Sequence, residues 1–257
     1  DVHRRIDDMN ANGVLASMNF PSFPQFCGQM FNNAQDRELG VAVLRAYNDW
    51  HLESWCGAYP GRFIPLGLVP YVDPQLMADE VRRLAAAGCH AVTSSENPEK
   101  LGQPSFHSHH WDPFWAACEE TGTVVCLHIG SSGSVVITSM EASINTMLTL
   151  QPVNLIQTAA DLLWSPVLDR FPKVRFALSE GGIGWIPYFL ERADYVYRNH
   201  RTWTGADFGD QPPSDRHPLP YLDRPRPTRT DLLVARRTAR RISPHRHCAL
   251  GRPPHGP

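Results

Sequence analysis

The sequence predicts an α/β protein, an incomplete TIM-like (β/α)8 barrel with an irregular C-terminal tail. Three observations favour this fold class. Five apolar runs of strand length alternate with helical patterns at intervals of about 25 to 50 residues, which is typical of a parallel sheet. The run 123–128 ends on a histidine and opens into small residues, as strands do at the catalytic end of a barrel. The glycine-rich motifs of nucleotide-binding sheets, G-x-G-x-x-G and G-x-x-x-x-G-K-[ST], do not follow any predicted strand.

The first elements are predicted from apolar spacing and from the residues that end each run. Residues 2–12 have a helical pattern, and the apolar run 13–20 has the length of a buried strand that stops at Pro21. Apolar residues at helical spacing predict a helix over about 36–55. Residues 63–70 are strand-like, although they contain two prolines.

The later elements have clearer start and stop signals. An aspartate followed by a proline opens a helix at residue 73, and Gly88 ends it before the strand 90–95. The same dipeptide opens the helix 114–121, which leads into the strand 123–128. Three elements complete the pattern: a helix over about 153–168, a strand over 173–180 and a helix through Arg198.

The number of strand–helix pairs is too small for a closed barrel, which needs eight. The chain opens inside a predicted helix, and its last 49 residues supply no convincing strand. We therefore expect a barrel truncated at both ends. An open doubly wound sheet fits the same strand period and is the alternative.

A change of composition divides the chain into a barrel domain, 1–208, and a tail, 209–257. The tail holds ten of the 23 prolines, ten arginines and four aspartates, and it lacks lysine and glutamate. It also lacks the interleaved aromatic residues of nucleic-acid-binding arms, so we expect no nucleic-acid partner. A coding-frame shift would produce such a stretch, and reading the underlying DNA in the other two frames tests that hypothesis.

The overall composition is that of a globular chain, with 42% hydrophobic residues and a net charge of −2. No stretch approaches 18 uncharged apolar residues, so we expect no membrane span. The six cysteines form no C-x-x-C pair, and several fall in apolar patterns. We interpret them as reduced thiols of a cytoplasmic protein.

The histidine that ends the run 123–128, His128, is the strongest candidate metal ligand. An imidazole held at the end of a buried strand is rigid, as a catalytic zinc ligand must be. The alternative is a core histidine whose ring nitrogens are satisfied by the backbone.

Two stretches resemble the amidohydrolase-related family that includes aminocarboxymuconate semialdehyde decarboxylase. The first is WDPFWAACEE, residues 111–120, running into VVCLHIG, residues 124–130; the second is FPKVRFALSEGG, residues 171–182. The resemblance covers about residues 1–205. It implies a metal-dependent barrel enzyme, a decarboxylase or a hydrolase, with a divalent metal that is zinc or a similar ion.

The resemblance also implies roles for two residues of the site. His128 matches the family's metal ligand after the fifth strand, whereas the H-x-H pair and the last-strand aspartate of the family have no match, so we expect weak or no metal binding. Glu180 stands where many members have a catalytic histidine. A carboxylate there would act as a metal ligand or as a base toward metal-bound water. The alternative is a carboxylate that accepts backbone N–H bonds at the start of the next helix.

Four other residues are candidate substrate contacts. Asn19 and Ser94 fall near strand ends, where turn and cap roles fit them equally well. His107 and His110 lie in the loop after the strand 90–95, on the expected active face.

The function that the resemblance implies is a carboxy-lyase acting on a small carboxylic acid, in a chain that forms a homodimer as relatives do. The metal would stabilise the charge left as CO2 departs. Hydrolysis of a cyclic amide or lactone fits the same chemistry and stays open. A truncated remnant without activity, or one that serves as an interaction surface, is the alternative of another class.

Overall fold

The structure is a computed structural model that describes residues 1–215, so most of the predicted tail, 209–257, lies outside the described residues. The helices are α1 (Val2–Ala11), α2 (Gln29–Asn32), α3 (Arg37–Trp50), α4 (Pro74–Ala86), α5 (Asp112–Thr121), α6 (Ile144–Trp164), α7 (Val167–Arg170) and α8 (Ile186–Thr204). A π-helical turn (His51–Cys56) continues α3, and single 3-10 turns lie at Pro98–Leu101, His109–Trp111 and Pro213–Asp215. Among these residues no helix has the length and apolar character of a membrane span.

The strands are β1 (Ser17–Met18), β2 (Phe63–Ile64), β3 (Gly67–Leu68), β4 (Ala91–Ser94), β5 (Val124–His128) and β6 (Arg175–Ser179). All pairs are parallel: β1 pairs with β2, and the other four lie in the order β3-β4-β5-β6. This sequential order is that of a barrel, whereas a doubly wound sheet reverses its strand order at a switch point. The barrel prediction therefore gains support over the open-sheet alternative.

The predicted strand 63–70 is divided in the structure. Its first part, β2, pairs with β1, and its second part, β3, pairs with β4. Pro65 lies between the two parts and has no N–H to donate to a strand ladder. One chain segment thus joins the two sheets into a continuous arc, with β1 at one edge and β6 at the other.

The main core lies between the larger sheet and the helices α4 and α5. Val92, Val125 and Phe176 occupy one register row of three neighbouring strands and are fully buried. Trp115 of α5 packs edge-on against Phe176, with the ring centroids 5.6 Å apart. Burying such side chains contributes roughly 1.5–3 kcal/mol each. This row holds in register the strands whose carboxyl ends carry the candidate site.

Helix bounds differ from the predicted ones where caps decide them. α6 begins well before residue 153, because the Ser143 hydroxyl caps it by accepting the N–H of Asn145 at 3.2 Å. It ends at Trp164, since the proline at 166 holds Ser165 in an extended conformation with ψ 158°. α8 continues past Arg198 to Thr204, where Gly205 adopts the left-handed conformation that ends many helices.

Candidate active site

His128 ends β5 and lies inside the arc of strands. Its ring contacts Phe20, just after β1, and since β1 and β5 belong to different sheets, this contact crosses the mouth of the arc. The ring Nδ1 lies 2.8 Å from the carbonyl oxygen of Ile129, which can only accept, so Nδ1 carries the proton. The lone pair is therefore on Nε2. This is the tautomer in which an imidazole can bind a metal or accept a proton at Nε2.

Two phenylalanines from the segment after β1 pack on the imidazole. Phe26 stacks on it with ring centroids 4.0 Å apart and an interplanar angle of 23°, and Phe20 meets it edge-on at 4.7 Å. The Phe26 carbonyl accepts the hydroxyl of Thr93 in β4 at 2.8 Å. Neither ring is among the site residues predicted from the sequence. The available signal was the position of this phenylalanine- and proline-rich segment, directly after a strand that ends at the same edge.

Glu180 is the acidic partner of His128. It follows β6, and its Oε2 lies 3.4 Å from the imidazole Nε2. The imidazole is almost fully buried, whereas the Glu180 side chain is 66% exposed, so the pair opens to solvent on the carboxylate side. The Glu180 backbone has a φ of 69°, a conformation that costs a non-glycine residue about 1 kcal/mol. Such conformations are concentrated at functional sites.

Asn19 and Ser94, the predicted substrate contacts at strand ends, are both engaged by the protein. The Asn19 Oδ1 accepts the indole N–H of Trp55 at 3.3 Å and the hydroxyl of Ser17 at 3.4 Å. Ser94 is buried, and its hydroxyl forms a hydrogen bond with the hydroxyl of Tyr71. In this structure Asn19 has only its amide nitrogen left for a ligand.

His107 and His110, the predicted contacts in the loop after β4, are not brought to His128. The His107 Nε2 lies 2.7 Å from Oδ1 of Asp161 in α6, and both side chains line a polar cavity of about 450 Å³ that does not include His128. His110 is exposed and packs edge-on against Trp111. The structure thus brings together His128 and Glu180 among the predicted site residues.

The described residues do not form a complete metal site. A catalytic zinc usually has three protein ligands. His128 and Glu180 offer one nitrogen and one carboxylate, and no group of three or more histidine, cysteine, aspartate or glutamate residues within 1–215 is placed to hold a metal ion. The donor set of the described part therefore does not fit a catalytic metal by itself.

The thiols near the strands are unsuited to nucleophilic catalysis. Burial, and then the charge of the neighbouring Cys89, raise the pKa of Cys126 in β5 to about 12. Burial, and then the charge of Glu96, also raise the pKa of Cys27. Because the thiolate is the reactive form, both residues stay inert near neutral pH.

Comparison with solved structures identifies the fold. The chain is similar to 5-carboxyvanillate decarboxylase from Sphingomonas paucimobilis, with 23% identity, a TM-score of 0.62 and coverage of 84% of this chain and 62% of that one. It is also similar to 5-carboxyvanillate decarboxylase from Novosphingobium aromaticivorans with bound manganese, with 21% identity, a TM-score of 0.60 and coverage of 86% and 59%. It is similar as well to 2,6-dihydroxybenzoate decarboxylase from Rhizobium, with 21% identity, a TM-score of 0.53 and coverage of 83% of this chain and 64% of that one.

The predicted fold class, part of a TIM-like (β/α)8 barrel, is confirmed by these likenesses. The chain spans about three fifths of the length of these solved structures. No curated protein matches it significantly. The family model described as Amidohydrolase matches residues 1–225. The resemblance drawn from residues 111–130 and 171–182 is thus confirmed, and the chain belongs to the amidohydrolase family.

Proposed function

We propose that the chain acts as a carboxy-lyase that removes CO2 from a small carboxylic acid. The observation that carries this proposal is the pair formed by His128 and Glu180 at the carboxyl ends of two neighbouring parallel strands. In barrel enzymes this edge carries the catalytic groups. Three of the solved structures with this fold are named decarboxylases of aromatic acids, which supports the choice of reaction.

The pair supplies a route for a proton. When CO2 leaves, the bonding electrons remain on carbon, and that carbon must gain a proton. Since Nδ1 of His128 is held by Ile129, the ring exchanges protons at Nε2, which faces Glu180 at 3.4 Å. A proton on either group can therefore be delivered to a substrate bound on the exposed carboxylate side. Phe26 stacks on the imidazole and Phe20 meets it edge-on, so both rings pack against it away from Glu180.

We further propose that activity requires a divalent metal, zinc by the resemblance. Manganese is the ion in one solved structure of the same fold. Such an ion would supply Lewis-acid chemistry to this site. His128 would be its ligand through Nε2, which leaves Glu180 as the group that holds the proton, and no group of three or more metal-binding side chains lies within residues 1–215. Because residues 1–215 bring only these two donors together, a non-catalytic protein is the second candidate, and the experiment must separate the two.

The test is release of CO2 from trial substrates by the purified chain. We expect turnover of at least one acid from a panel that includes 5-carboxyvanillate and 2,6-dihydroxybenzoate, with zinc or manganese supplied, and loss of turnover in His128→Ala. The matched control is His90→Ala. His90 is exposed and directly precedes β4, so it lies at the amino ends of the strands, whereas His128 lies at a carboxyl end. Opening of a lactone or cyclic amide without CO2 would replace the proposal with hydrolysis. No turnover above the His128→Ala background would favour the non-catalytic candidate.

We also propose a cytoplasmic location and a homodimer. The five cysteines within the described residues are free and buried, which is typical of proteins of a reducing compartment. Tyr188 and Trp203 of α8 are largely exposed aromatic side chains, which a subunit interface would cover. Sedimentation equilibrium measures the mass, and a monomer at all concentrations would overturn the homodimer.

A further inference from the structure

Glu96 is a buried carboxylate that joins two loops at the mouth of the arc. It follows β4 and is 1% exposed. Its Oε2 accepts the hydroxyl of Ser131 at 2.5 Å, and its Oε1 accepts the hydroxyl of Ser132 at 2.6 Å. Its own backbone N–H donates to the Ser131 hydroxyl oxygen at 3.0 Å. Burying a carboxylate is costly unless its oxygens are hydrogen-bonded, so Glu96 and the two serines constrain each other strongly.

The same loop is tied to the segment that carries Phe26. The Ser131 carbonyl accepts the side-chain amide of Gln29 at 2.6 Å and the thiol of Cys27 at 3.4 Å. The Gln29 Oε1 in turn accepts the backbone N–H of Cys27 at 3.0 Å. Phe26 directly precedes this cysteine, so the position of its ring depends on where Ser131 is held.

The hydrogen bond at Nδ1 of His128 and the stacked ring of Phe26 therefore both depend on the loop that carries Ser131 and Ser132, the serine loop. The carbonyl that fixes the His128 tautomer belongs to Ile129, two residues before Ser131, and the ring that stacks on the imidazole is that of Phe26. Ser131 and Ser132 are almost completely buried, and Glu96, which is 1% exposed, lines the polar cavity beside His107 and Asp161, to which His128 does not contribute. Their place in the structure is behind the site.

We propose that Glu96 is a positioning residue that holds His128 in its Nδ1–H tautomer beneath Phe26, through Ser131 and Ser132. Without the carboxylate, the loop that carries Ser131 and Ser132 loses two short hydrogen bonds, so the Ile129 carbonyl and the Cys27–Gln29 segment beside Phe26 lose that support, while the Thr93 bond to the Phe26 carbonyl remains. The consequence for catalysis depends on the proposed function of His128. The geometric claim can be measured without any activity.

The test is the tautomer of His128, read by nitrogen NMR on the full chain after dialysis against a chelator, at a pH where the ring is neutral. The ring-nitrogen signals that disappear in His128→Gln are assigned to His128. We expect protonated Nδ1 and unprotonated Nε2 in the native chain, together with a cross-relaxation signal between the Phe26 and His128 rings. In Glu96→Gln and in Ser132→Ala the ratio of Nδ1–H to Nε2–H should fall by about fivefold, as loss of one ordinary hydrogen bond would produce.

Matched controls are Glu99→Gln and Ser139→Ala, which alter exposed residues of the neighbouring segments and should keep the native pattern. If Glu96→Gln fails to fold, Ser132→Ala decides, because it removes one bond and keeps the carboxylate. A native tautomer ratio and a native ring contact in a folded variant would overturn the inference, even in a chain that releases CO2. Failure to release CO2 would leave this measurement unaffected.

Discussion

The Glu180 carboxylate lies 3.4 Å from Nε2 of His128 because β5 and β6 pair in one particular register. His128 is the register partner of Ser179, so the next residue of the β6 segment stands beside the imidazole. A slip by one residue would turn every side chain of a strand to the other face. The buried row that contains Val125 and Phe176 opposes such a slip. The position of the pair is therefore set by the core of the sheet.

Metal binding by the purified chain should be weak. Only two donors meet at the site within residues 1–215, and a catalytic zinc usually needs three protein ligands. Titration calorimetry with zinc and manganese should show less than one tightly held equivalent, and His128→Ala should lower the residual affinity by about tenfold or more. His90→Ala should leave it unchanged. One tight equivalent per chain would contradict this prediction.

Much of the fold and the pair His128 and Glu180 could be predicted from the sequence, because their signals are local. The apolar run 123–128 and its terminal histidine form β5, and the run 173–180 forms β6. Neighbouring parallel strands end at the same edge, which brings His128 and Glu180 together. Pro65 is also a local signal, because a proline has no N–H for a strand ladder, and the structure divides the predicted strand 63–70 there.

The remaining features depend on contacts between distant segments, for which the sequence contains no local signal. The Phe26 carbonyl accepts the Thr93 hydroxyl, 67 residues away along the chain, and the next residues bond to the Ser131 carbonyl, more than 100 residues away. His107 is paired with Asp161 over 54 residues, which removes it from the site that its position after β4 suggested. Neither pairing can be predicted from spacing, because loop conformation is decided by the surfaces against which a loop packs.

The backbone of Glu180 should make glycine the more stable substitution at this position. Glu180→Gly and Glu180→Ala both remove the carboxylate, but only glycine adopts a φ of 69° without strain. We expect Glu180→Gly to exceed Glu180→Ala by about 1 kcal/mol in the free energy of unfolding, measured in urea. The same two substitutions at exposed Glu191, within α8, should differ by about 1 kcal/mol in the opposite direction. If the difference in free energy of unfolding between the glycine and alanine variants had the same sign at positions 180 and 191, this explanation would be refuted.

Buried thiols should make the chain less stable in alkali. Burial raises the pKa of Cys126 from 9.0 to about 12, so between these values the unfolded chain loses a proton that the folded chain keeps. Each thiol of this kind should lower the free energy of unfolding by up to about 1.4 kcal/mol per pH unit above pH 9. Cys126→Ala should flatten this fall in urea unfolding measured from pH 8 to about 10.5. An unchanged slope would contradict the assignment.

Close packing behind Glu180 should make its neighbour Gly181 intolerant of a side chain. A Cβ at Gly181 would lie 2.6 Å from Cδ1 and 3.0 Å from Cβ of Leu155 in α6, whereas a Cβ at Gly184 would meet no atom within 4 Å. Because the Leu155 Cβ is fixed to the helix backbone, Gly181→Ala must shift either the helix or the turn that carries Glu180. We expect Gly181→Ala to lose about 1–3 kcal/mol in the free energy of unfolding and Gly184→Ala to remain close to the native value. Thermal and urea unfolding of both variants measure this, and equal stabilities would show that the turn is not held against α6.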